Sequence, residues 1–136
     1  MNPPEPLQAP PHVARNPDDP LSPERLARLD LSATQAIVAY RELLRVAKHP
    51  ESEPNYRQIR EALVRHEAEY EGALAVAATA WNDANEIKAI AAKLDMSKAK
   101  NVELFADAAA DHRAAESRFK DLWYKQSYVR EALAQG

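Results

Sequence analysis

From Tyr56 to Leu133 the chain repeats every seven residues without a slip, and no other feature restricts its folding so tightly. With Tyr56 as position a, the a positions are Tyr56, Leu63, Tyr70, Ala77, Ala84, Ala91, Lys98, Phe105, His112, Phe119, Gln126 and Leu133. The d positions are Ile59, His66, Ala73, Ala80, Ile87, Leu94, Asn101, Ala108, Ala115, Leu122 and Val129. Apolar side chains at this spacing form one stripe along an α-helix, and a 3.5-residue period keeps that stripe against a partner helix. The expected class is therefore all-α, a coiled-coil hairpin or helical bundle.

Two architectures compete for this stretch. The phase carries through Lys98 and Asn101, as it would in one continuous long helix within an oligomeric coiled coil. Against that, Asp95-Met96-Ser97-Lys98-Ala99-Lys100-Asn101 loses the apolar pattern and supplies Asp, Ser and Asn, which turn or cap chains. An unbroken helix here would also be roughly 120 Å long, rare in so short a chain. The preferred reading is a hairpin, with the continuous helix as the alternative.

The segment before the repeat supplies a third helix. Ser22 can cap and Pro23 can occupy the first helical position, where its missing N–H costs nothing. Leu26, Leu29, Ala33, Ala36, Tyr40, Leu43 and Ala47 form its stripe. Ser32 and Gln35 look like a second capping box, which marks a break at Asp30 to Ser32. Lys48, His49 and Pro50 end the helix. Helices are expected at about 23–48, 54–95 and 100–134, within a bundle domain spanning 23–136.

Positions e and g include Leu74, Val76, Trp81, Ile90, Val102, Leu104 and Trp123. These sites are usually charged in a two-stranded coil, so the buried face is wider than a dimer seam and a third helix has to cover it. The first helix is the natural cover, and the result is an elongated antiparallel three-helix bundle. Alanines at 73, 77, 80, 84 and 91 allow close approach between helices.

Residues 1–22 read as a separate Pro-rich arm, disordered or extended, since eight of the ten prolines fall within the first 23 residues. Its functional reading is a linear motif or a strap along a neighbouring subunit.

Chemistry finds little support. There is no cysteine, hence no disulfide framework and no thiolate. With two glycines, Gly72 and Gly136, no phosphate-cradling loop or nucleophile elbow can form. A net charge of −3 argues against a general phosphate-backbone binder, so nucleic acid is not the expected partner. No apolar run spans a bilayer and no signal peptide is read, which fits a cytoplasmic protein or part of a soluble or particle assembly.

His66 and His112 occupy core positions, where helical bundles build metal sites from Glu-x-x-His. Leu63 and Ala109 stand three residues before them, so they read instead as buried polar residues that fix register, together with Lys98, Asn101 and Gln126. No catalytic residue, cofactor or metal is assigned.

The last three turns carry the best interaction signal. Trp123 lies at the edge of the stripe, and Tyr124 and Tyr128 fall on outward f and c positions, accompanied by Lys120, Lys125 and Arg130. Neighbouring exposed aromatics among cations resemble an interface hot spot. The expectation is a non-catalytic interaction or assembly subunit, joined to protein partners or to itself as a homo-oligomer. The alternatives are a helical chaperone or inhibitor of one partner, and a metal-binding bundle enzyme resting on His66 and His112. No motif singles out a family.

Overall fold

The computed structural model describes residues 19–135. The arm expected over 1–22 therefore lies outside the described residues as far as position 18, and so does Gly136. Three helices account for nearly all the rest: α1 (Pro23–Val46), α2 (Tyr56–Ala91) and α3 (Ala99–Gln135), with one 3₁₀ turn at Pro50–Ser52 between α1 and α2.

α1 starts as its sequence dictates. The Ser22 hydroxyl accepts from the Arg25 N–H at 3.4 Å and Pro23 follows at the first helical position. The helix then runs unbroken through Asp30–Ser32, so the expected interruption does not occur. Asp30, at the start of that segment, is tied to both other helices, accepting from Tyr70 of α2 at 2.7 Å and from Lys125 of α3 at 2.7 Å.

α2 and α3 are separate helices joined by a turn at residues 92–98, which settles the hairpin against the continuous helix. Asp95 makes the turn. Its carboxylate accepts from the Ser97 N–H at 3.0 Å and the Ser97 hydroxyl at 2.7 Å, while its carbonyl accepts from the Asn101 side-chain amide at 2.9 Å. The Ser97 hydrogen bonds hold the Asp95 carboxyl below its ordinary value. The turn takes seven residues, one whole heptad, so the sequence phase continues across a chain reversal.

The core sits in one half of the molecule. Leu21, Leu29, Ala33 and Tyr40 pack with Leu63, Tyr70, Ala73, Leu74 and Ala77 of α2 and Leu122, Val129 and Ala132 of α3. Leu26, Ile37, Leu44, Tyr56, Ile59, Val76, Phe119 and Leu133 widen this cluster from its edge. All α2 members precede residue 78 and all α3 members follow residue 118, because α1 overlaps the pair only there. With 24 residues against 36 in α2, α1 is ~18 Å short of covering it.

Beyond the end of α1 the hairpin continues as two helices. Ala91, Ala108 and Ala115 are the buried residues of this half, a seam of small side chains that burial alone stabilises weakly. The third helix required by the wide apolar face thus covers Leu74 and Val76 and leaves Ile90, Val102 and Leu104 exposed.

Candidate functional site

Polar ties between helices fix the register, and they absorb several residues that the sequence marks as candidates. At the closed end, Arg60 donates to the Tyr40 hydroxyl at 2.6 Å and to the Leu133 carbonyl at 3.2 Å. Its guanidinium also lies 5.7 Å from the Tyr40 ring centroid and 5.9 Å from that of Tyr56. One side chain thereby joins all three helices through hydrogen bonds and cation–π contact.

Midway along, Asp30 holds Tyr70 and Lys125 together. Burial, then the hydrogen bond to Asp30, pushes the Tyr70 phenol well above its ordinary value. Lys125 is lowered by partial burial but raised on balance by its hydrogen bonds to Asp30 and Asp121. A third tie uses Gln126, whose buried amide donates to the Glu67 carbonyl at 3.3 Å and to Glu71 at 2.7 Å, with Arg130 bonding Glu67 beside it.

The five residues expected to set register divide by position. Gln126 is buried and bridges α3 to α2, and His66 is buried with its Nδ1 3.0 Å from Glu69 on its own helix. His112 is half-buried and accepts from the Trp81 indole N–H at 3.2 Å, while the Trp81 ring packs on Phe119 at 5.3 Å. Asn101 pins the interhelical turn. Lys98 departs from the expectation: it is exposed, because the turn at 92–98 carries its a position out of the seam.

His66 and His112 are not brought together with carboxylates as a ligand set. Among the described residues no three His, Asp or Glu side chains converge as a metal site would require. An open groove beside α2, lined by Glu51, Tyr56, Arg57, Arg60, Glu61, Val64 and Arg65, offers no nucleophile and spends Arg60 on the tie already described. Among the described residues no helix is long and apolar enough to cross a membrane.

The C-terminal aromatics stand where their heptad positions put them. Trp123, Tyr124 and Tyr128 are 48%, 56% and 57% exposed, and the Trp123 and Tyr124 rings meet edge to face at 5.3 Å. α1 does not fold over them. The three cations beside them are each engaged within the chain: Lys120 with Glu116, Lys125 with Asp30 and Asp121, and Arg130 with Glu67 and Glu71. The surface is therefore aromatic with neutralised charge, less cationic than the residue list alone implies.

Two features escaped the sequence pattern. The pattern marks Asp30 to Ser32 as a break, whereas Asp30 is the hub of an interhelical tie, and it marks Trp81 only as apolar edge, whereas the indole N–H donates to His112. Spacing along one helix carries no information on partners that lie 31 to 95 residues away. Comparison with family models, with curated proteins and with solved structures found no match.

Proposed function

We propose that the protein is a non-catalytic interaction or assembly subunit that engages another protein through the outer surface of α3. The observation that supports this most directly is the exposed group of Trp123, Tyr124 and Tyr128, of which the first two meet edge to face. Large aromatic side chains bring much contact area at little conformational cost, and they dominate protein interfaces when a partner desolvates them. The ion-paired rim of Lys120, Lys125 and Arg130 limits the desolvation penalty, since each cation already has its carboxylate.

The triple variant Trp123→Ala, Tyr124→Ala and Tyr128→Ala tests the reading. Its far-ultraviolet circular dichroism should match the wild type, because none of the three belongs to the core. Capture of the binding partner from the source cells should be lost. Partner capture at wild-type level by a folded triple variant would sink the proposal. The stoichiometry of the captured complex distinguishes an assembly subunit from a one-to-one chaperone or inhibitor.

A further inference from the structure

The half of the hairpin that α1 leaves bare carries a patch with a specific order of charge. α1 packs on the side of the α2–α3 pair marked by g positions: Lys125 bonds Asp30, Arg118 lies beside Asp19, and Ala132 is fully buried. Further toward the turn the same side presents Asp83 and Ile90 on α2 and Leu104 and Asp111 on α3. The adjoining c positions are Glu86, Lys93, Lys100 and Asp107.

Contacts across the pair, Glu67 with Arg130, Glu71 with Gln126 and Trp81 with His112, fix which residues are level. Carried on toward the turn, that register sorts the patch into three zones. Lys93 and Lys100 lie nearest the turn. Ile87, Ile90 and Leu104 follow, 42%, 66% and 46% exposed. Asp83, Glu86, Asp107 and Asp111 lie furthest back, on average ~13 Å behind the lysines at 1.5 Å per residue.

We infer that this patch binds a second copy of the same chain, antiparallel, about a two-fold axis passing near Ile90 and Leu104. That rotation superposes apolar on apolar and sets Lys93 and Lys100 of each copy against Asp83, Glu86, Asp107 and Asp111 of the other. The interface is isologous and closes on itself as a dimer. The charges are free for it: among the described residues Lys93, Lys100, Asp83, Glu86 and Asp107 form no ion pair within the chain, unlike Lys120, Lys125 and Arg130.

The Asp111 carboxyl is held above its ordinary value by partial burial and by Asp107, a repulsion that opposing lysines relieve. Space is available as well. Since Asp30 is level with Tyr70, Pro23 is level with about Ala77, while the turn of the second copy reaches back only to about Ala84. The second hairpin thus continues the layer that α1 begins, and each bare half becomes part of a four-helix arrangement.

The inference deepens the assembly reading and rests on it. Its test is separate, because it reads the mass of the protein alone rather than capture of another protein through Trp123, Tyr124 and Tyr128. Sedimentation equilibrium of the full chain over a micromolar-to-millimolar series should give a monomer–dimer equilibrium. Ile90→Glu with Leu104→Glu should give monomer with unchanged circular dichroism, since both side chains are exposed.

Lys93→Glu with Lys100→Glu, and separately Glu86→Lys with Asp107→Lys, should each weaken the homodimer on the order of tenfold or more by putting like charges at both ends. Mixed together, the two charge variants should recover dimer as a heterodimer. Wild-type protein that stays monomeric throughout the series, or charge variants that do not recover on mixing, overturns the proposal. If wild-type protein is monomeric and Ile90→Glu shifts the NMR signals of residues 1–18, the patch belongs to that segment and the proposal is equally overturned.

Discussion

Replacing Asp30 with Ala removes the acceptor of a buried hydroxyl, and the structure sets the size of the effect. Tyr70 is 2% exposed and its O–H donates to Asp30 at 2.7 Å, so truncation removes the acceptor of a largely buried donor, which costs ~1–3 kcal/mol. The Lys125 pair adds little: both side chains are about one-third exposed and Lys125 keeps Asp121, so screening limits its loss to ~0.5 kcal/mol. Ala in mid-helix returns ~0.5 kcal/mol over Asp through backbone propensity.

The net destabilisation of Asp30→Ala is therefore about 2 kcal/mol. In a Tyr70→Phe background no donor is stranded, and the same substitution should cost close to nothing. Urea unfolding followed by circular dichroism reads the cycle, with a coupling of ~2 kcal/mol expected between the two sites. Equal costs of Asp30→Ala in the two backgrounds would refute the hydrogen bond to Tyr70 as the source of the destabilisation.

Two further outcomes follow from single residues. Gly72 lies exposed in the middle of α2 with nothing within 4 Å of an added methyl group, so Gly72→Ala should stabilise by ~0.5–1 kcal/mol and raise the melting temperature by a few degrees in calorimetry; a lower melting temperature would contradict the open site. The Tyr70 phenol, raised above its ordinary 10.0 by burial and by Asp30, contributes stability that is complete below pH ~10 and is lost as pH rises further, because the unfolded chain releases the proton first. The slope is up to ~1.4 kcal/mol per pH unit for this group. Tyr40 and Lys125, also raised, lose stability in the same direction, so Tyr70→Phe should flatten the alkaline decline without abolishing it.

Much of the architecture is legible along the chain because helical packing is local in pattern. The seven-residue stripe names Leu63, Tyr70, Leu122 and Val129 as core, and these are among the most deeply buried side chains. Asp95, Ser97 and Asn101 mark the turn through short-range hydrogen bonds that any reader of turn chemistry can anticipate. The outward positions of Tyr124 and Tyr128 follow from the same period.

Partnership between distant residues is a different matter. That Lys125 and Arg130 are neutralised, that Asp30 is a hub and that Lys98 leaves the seam depend on how the helices align in space, which no spacing within one helix encodes.

The heptad period alone committed this chain to helices packed lengthwise, since an apolar stripe in water has to be buried and a 3.5-residue repeat buries it only against another helix. How far α1 reaches along the hairpin was decided by the tertiary structure. A helix of 24 residues anchored at Tyr40 and Arg60 ends near Ala77, and Ile87, Ile90 and Leu104 face solvent because, among the described residues, no third helix reaches that level.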